Sequence, residues 1–210
     1  MHCAARQTAP VACAEMFDLG RIQKELREIE RDKTSGVTVQ LNGSSLQRLT
    51  GFVEGPRDTP YENGYFVVDI QLDDQYPFVP PKMRFISKVY HPNVSSANGA
   101  ICLDILKDQW SPALTLKTAL LSLQALLSSP EPDDPQDAVV ARQYLTDHAT
   151  FVRTARMWTE NFAHRSQAAT EDEKVTKLAD MGFSRVDAIA ALQSTANDEN
   201  AALELLLSAA

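Results

Sequence analysis

Leu46-Gln47-Arg48-Leu49-Thr50-Gly51-Phe52-Val53-Glu54, then Gly55-Pro56-Arg57-Asp58-Thr59-Pro60, then Tyr65-Phe66-Val67-Val68-Asp69-Ile70-Gln71-Leu72 is the stretch that decides how this chain folds. β-branched and aromatic residues dominate the two outer runs, and the segment between them is rich in turn formers. The spacing predicts two strands joined by a turn-length connection. Upstream, Val37, Val39 and Leu41 alternate with polar residues as in a half-buried strand; downstream, Met83 to Ile86 is a shorter run. Sequential short strands with such connections predict an antiparallel meander.

Helical periods flank these strands. From Phe17 to Arg31, Ile22, Leu26 and Ile29 fall at i, i+4 and i+7, one buried stripe. Arg21, Lys24, Arg27 and Arg31 occupy the rest of that helix, as either a solvated face or a basic docking face. Residues 76–112 contain Pro77, Pro80, Pro81, Pro92 and Pro112 with little period, which predicts a long ordered loop of the functional kind. Thr115 can cap a run from Leu116 to Leu127 that is apolar nearly all round, the pattern of a central buried helix. Pro130, Pro132 and Pro135 break it, and helical segments follow near 137–145 and 147–163. Beyond a polar linker, about forty residues read as three short helices, the first ended by Gly182. The fold class is therefore α+β: a four-stranded antiparallel meander with flanking helices, then a small three-helix bundle. The expected units are a disordered extension (1–14), a main body (15–163), a linker (164–170) and the bundle (171–210).

Composition excludes several classes. The 210 residues hold 28 acidic and 20 basic side chains, for a net charge of −8, so no basic stripe marks a nucleic-acid binder. No apolar run approaches the roughly 18 residues of a membrane span. The first residues lack the apolar stretch of a signal peptide, and a lone Arg6 is too little for a transit peptide. Three cysteines, Cys3, Cys13 and Cys102, are an odd number and too few for a disulfide scaffold. Reduced thiols place the chain in the cytoplasm, with the nucleus as a second compartment. The acidity is concentrated at the end, where residues 171–210 hold 8 acidic and 3 basic side chains.

Nucleotide-binding and zinc motifs are absent, so no cofactor or metal is expected. The chemistry then rests on Cys102, set in Gly99-Ala100-Ile101-Cys102-Leu103-Asp104, with His91-Pro92-Asn93 upstream. A lone cysteine among apolar residues is usually a small buried hydrophobe, but one in a proline-rich loop has a stronger claim to reactivity. A cysteine hydrolase would need a base at the thiol. Pro92 restricts the backbone at His91, which suits a histidine that braces the loop. The Asn93 amide can stabilise an oxyanion at the sulfur or satisfy its own turn.

The runs G-P-R-D-T-P-Y-E-N-G-Y-F (55–66), Y-P-F-V-P-P-K (76–82), H-P-N-V (91–94), G-A-I-C-L-D-I-L-K-D-Q-W-S-P-A-L-T (99–115) and E-P-D-D-P (131–135) together resemble the catalytic domain of ubiquitin-conjugating enzymes. The C-terminal piece, with Met181-Gly182-Phe183 and a leucine-rich last helix, resembles a ubiquitin-associated domain. The resemblance implies that Cys102 accepts ubiquitin as a thioester from the activating enzyme and passes it to lysine amines, building polyubiquitin chains with or without a ligase. It implies an oxyanion or loop-ordering role for Asn93. For Asp134 it implies positioning or deprotonation of the incoming lysine, against an alternative as a helix N-cap beside Pro135. Ligase contacts, of the RING type, are implied for Arg21, Lys24, Phe78, Ser111, Pro112 and Ala113. Leu121 is implied to hold the donor ubiquitin, with core burial as the alternative. Met181, Gly182, Phe183, Leu206 and Leu207 are implied to bind ubiquitin, although Leu203, Leu206 and Leu207 share a face and some must be core. Asn63 stands where the family often has glycine, and asparagine tolerates the left-handed conformation.

Three readings follow. One is an active conjugating enzyme, expected as a monomer whose partners are ubiquitin, the activating enzyme and ligases, with neither nucleic acid nor membrane. The others are a thiol hydrolase acting on ubiquitin and a non-catalytic ubiquitin-binding adaptor. Cys102, Asn93 and Asp134 together count against the adaptor. The lack of a Cys–His spacing counts against the hydrolase.

Overall fold

A computed structural model of the chain describes residues 18–42, 45–163, 174–195 and 198–209. The expected extension 1–14, with Cys3 and Cys13, and the linker 164–170 lie outside the described residues. Four strands, β1 (Val37–Asn42), β2 (Ser45–Glu54), β3 (Tyr65–Gln71) and β4 (Lys82–Phe85), pair antiparallel in the order β1-β2-β3-β4. This is the expected meander. Leu41 is the strand residue that departs from the alternation. It lies 46% exposed on the edge strand, where the register shifts between Leu41 and Asn42.

Side-chain alternation gives the sheet two faces. Leu49, Val53, Phe66, Val68, Ile70 and Phe85 are buried in the main core, on the side covered by helices. There α1 (Leu19–Arg31) contributes Ile22 and Ile29, and α2 (Leu116–Ser128) contributes Leu116, Leu120, Leu123 and Leu127. At Gly51 of β2 the helix α2 approaches closely. A Cβ there would lie 2.9 Å from Ile70 Cδ1 and 3.0 Å from Leu120 Cδ2. The caps follow from sequence: Asp18 accepts from Arg21 N at 2.9 Å, and Thr115 accepts from Thr118 N at 3.2 Å. Two further helices, α3 (Ala138–Thr146) and α4 (His148–Phe162), start at the caps Asp137 and Asp147.

The bundle comprises α5 (174–180), α6 (Arg185–Ser194) and α7 (Glu199–Ala209). Gly182, at φ +102°, turns the chain after α5, and Ser184 caps α6. Val175, Leu178, Ala188, Ile189, Ala191, Leu192, Ala202 and Leu206 form the bundle's core. That core continues onto the second face of the sheet, through Val67 with Phe52 and Ile86 beside it. Arg185 N donates across the same contact to Asn42 Oδ1 at 3.2 Å. Among the described residues no helix is long and apolar enough to cross a membrane, and no cluster of metal-ligating side chains occurs.

Candidate active site

Cys102 follows a small hairpin built on three isolated bridges: Arg84 with Ala100, His91 with Val94, and Val94 with Ile101. Gly99 makes the turn possible. Its φ is +72°, and a Cβ would come within 1.9 Å of the Phe85 carbonyl oxygen. The Cys102 amide then donates to the Asn93 carbonyl at 2.9 Å, which places the thiol beside the His91-Pro92-Asn93 segment.

His91 is wholly buried, and both ring nitrogens are engaged. Nδ1 accepts from Asn93 N at 3.0 Å, so Nε2 carries the proton and donates to the Leu126 carbonyl at 3.0 Å. Burial holds its pKa down to about 4, so the ring is neutral. It ties the loop to the end of α2 and has no nitrogen free to act as a base at Cys102.

Asn93 is buried too. Its Nδ2 donates to the carbonyls of Glu131 at 2.8 Å and Asp134 at 3.0 Å, and its Oδ1 accepts from Glu131 N at 2.8 Å. Both amide donors therefore order the segment carrying Asp134. The Asp134 carboxylate is exposed and stands with Oδ2 3.5 Å from Cys102 Sγ. The N-cap alternative for Asp134 does not apply. Asp137 caps α3, accepting from Val139 N at 3.1 Å and Val140 N at 3.2 Å.

Lys107 also stands at the thiol, a residue that no sequence motif marks. Its Nζ donates to Cys102 Sγ at 3.2 Å, and that bond, with the nearby carboxylates of Asp134 and Asp108, raises the lysine pKa. The half-buried thiol thus lies between an ammonium and a carboxylate. The available signal was a lysine five residues after the cysteine, on the far side of the 3-10 turn Asp104–Leu106.

The face expected to meet a ligase is held by one buried carboxylate. Glu25 pairs with Arg21 and accepts from Tyr76 Oη at 2.8 Å and Leu116 N at 2.8 Å. Arg21 Nη2 also donates to the carbonyls of Pro112 at 2.9 Å and Leu114 at 2.8 Å, so its guanidinium braces the loop. Trp110 Nε1 donates to the Pro77 carbonyl at 2.8 Å. Three segments are joined in this way, and they present Lys24, Phe78 and Ser111-Pro112-Ala113 to solvent, with Phe78 60% exposed. A charged residue in phase with the Ile22–Ile29 stripe was the sequence signal for Glu25.

Leu121 is half-buried against the main core. In the bundle, Met181, Gly182 and Leu207 are exposed, and Phe183 is half-buried against the core. Leu206 is core, leaving it no surface to offer a partner.

Comparison with known proteins agrees with this geometry. Residues 21–159 match the family model described as ubiquitin-conjugating enzyme, and residues 171–206 match that of the UBA/TS-N domain. The chain belongs to the ubiquitin-conjugating enzymes and carries a C-terminal ubiquitin-associated domain. It is 58% identical over 195 residues to ubiquitin-conjugating enzyme E2 27 of Arabidopsis thaliana, covering 92% of this chain and 100% of that one. It is 49% identical over 192 residues to ubiquitin-conjugating enzyme E2 K of Homo sapiens, covering 90% of this chain and 96% of the other. Among solved structures it is similar to the E2 domain of a Toxoplasma gondii ubiquitin conjugating enzyme, with TM-score 0.66 and 53% identity. That likeness covers 69% of this chain and 97% of the other.

Proposed function

We propose that Cys102 carries ubiquitin as a thioester and passes it to lysine amines, assembling polyubiquitin chains. The observation that carries this reading is the thiol's position, with Lys107 Nζ at 3.2 Å and Asp134 Oδ2 at 3.5 Å. In the first step the Cys102 thiolate attacks the thioester carbonyl on the activating enzyme, and that enzyme's thiolate leaves. In the second, a neutral lysine amine attacks the new thioester. The tetrahedral intermediate expels the Cys102 thiolate and leaves an isopeptide bond. The amine's proton passes to the Asp134 carboxylate, which can also orient the ammonium beforehand. No strong base is needed at the sulfur, because a thioester is already activated.

The exposed Lys24, Phe78 and Ser111-Pro112-Ala113 fit a docking face for a RING-type ligase, with Phe78 as its aromatic anchor. Met181, Gly182 and Leu207 fit a patch for a second, non-covalently held ubiquitin. The enzyme acts as a monomer in the cytoplasm and nucleus, where a working thiol stays reduced.

Incubation with activating enzyme, ATP and ubiquitin, resolved on a non-reducing gel, tests the reading. A thiol-sensitive adduct, abolished in Cys102→Ala and thiol-resistant in Cys102→Ser, is expected. Absence of any adduct on the native chain would overturn it.

A further inference from the structure

The second face of the sheet holds a contact that the conjugation chemistry does not use. Phe52 and Val67 lie opposite each other in register, and Ile86 N donates to the Val67 carbonyl at 2.8 Å, so the three form an apolar strip. The strip packs on the core of the small domain, and Val67 is 4% exposed. The next row on the same face is polar. Thr50 faces Asp69, and Asp69 faces Arg84. Thr50 and Asp69 are buried, yet Thr50 Oγ1 and Asp69 Oδ1 have no hydrogen-bond partner among the described residues. Asn42 Nδ2, beside the bond from Arg185 N, has none either. Open clefts flank the contact. One of about 580 Å³ runs between Leu41, Asn42 and Arg48 and the turn after α5. Another of about 160 Å³ lies between Ser95–Gly99 and the end of α6.

We propose that the small domain is a releasable cover on the sheet, and that its closed position fixes the Met181–Leu207 patch relative to Cys102. The apolar strip favours closure. Desolvated polar atoms without partners oppose it, because opening returns them to water. A contact built from both is balanced between two states instead of welded shut. The consequence for ubiquitin rests on the reading that this patch binds it. Closed, a ubiquitin held there has one geometry to the thiol; open, that geometry is no longer fixed.

Nitrogen-15 relaxation of the full chain tests the cover. Amides of α5–α7 are expected to relax with transverse rates below those of β1–β4, as a domain that tumbles partly free of the sheet would. Thr50→Val, which removes an unpartnered hydroxyl, should raise them to the rates of the sheet. Ile86→Lys, at the margin of the strip, should lower them about twofold. Native rates equal to the sheet's and unmoved by Ile86→Lys would overturn the proposal. So would native rates already at those of a domain of this size tumbling on its own and unmoved by Thr50→Val. Diubiquitin formation by the charged enzyme should differ severalfold between the two variants; equal rates would overturn the placement of the patch. Titration with free ubiquitin separates the underlying reading. Both variants should bind ubiquitin as the native chain does, and if none binds, the patch reading fails while the relaxation result stands.

Discussion

The side chain of Asn93 holds the backbone of Asp134, its Nδ2 donating to the Asp134 carbonyl at 3.0 Å. The same amide grips Glu131 at both its carbonyl and its N–H. A residue next to the thiol in space therefore acts first on the loop that carries the acid.

Asn93→Ala should leave the thioester on Cys102 intact and slow its discharge to free lysine by about tenfold or more, because Asp134 loses its fixed place. Leaving buried partners unsatisfied should cost about 1–3 kcal/mol of stability. Single-turnover discharge and urea unfolding check both; unchanged discharge with lowered stability would confine Asn93 to a packing role.

Asp134→Asn keeps the shape but removes the proton acceptor. Discharge to lysine should slow by about 10²-fold near neutral pH, in the range of general-base losses. The deficit should shrink as pH rises and free amine becomes abundant. A deficit constant across pH would argue that Asp134 only orients the amine.

Glu25→Ala should be among the most destabilising single changes, at about 3–5 kcal/mol, since it strips the half-buried Arg21 and the buried Tyr76 of their common partner. Tyr76→Phe removes only one bond to that carboxylate and should cost about 1.5–3 kcal/mol. Denaturant titration of both variants gives the comparison, and near-native stability of Glu25→Ala would refute the bracing role.

His91 makes stability depend on pH in a defined window. Its folded pKa is pushed down to about 4, so between pH 4 and about 6.5 the unfolded chain binds the extra proton. Stability from this group is complete above about pH 6.5 and is lost as pH falls toward 4, a change of about 3 kcal/mol. Unfolding measured across this range should show the slope, and His91→Asn should flatten it.

Met181→Glu with Leu207→Glu should weaken binding of free ubiquitin by tenfold or more while leaving thermal stability within about 0.5 kcal/mol, since both side chains are exposed. Titration calorimetry and a thermal melt read the two quantities. Unchanged affinity would move the patch elsewhere on the bundle.

Much of the architecture could be read from local patterns. Each strand is bounded by turn residues, Thr115 announces α2, and Gly182 separates α5 from α6, because such signals act within a few residues. Glu25 was harder to see. In one dimension it is one acid among the many charges of α1, and only the arrival of Tyr76 and Leu116 N, from residues far along the chain, makes it a buried node. Asp134 shows the same limit in reverse. Its neighbour Pro135 made an N-cap plausible, but the helix starts at Asp137, where the side chain reaches two free amides.

The sequence by itself determined the meander, the helix caps and the two-part division, and it marked Cys102 as the candidate for chemistry, all from short-range patterns. The tertiary structure alone decided what surrounds that cysteine: Lys107 on one side, Asp134 on the other, with His91 and Asn93 turned to scaffolding. It also decided that the small domain lies on the sheet over Phe52, Val67 and Ile86. These arrangements depend on contacts between segments distant in the chain, whose formation is governed by the packing of the whole core.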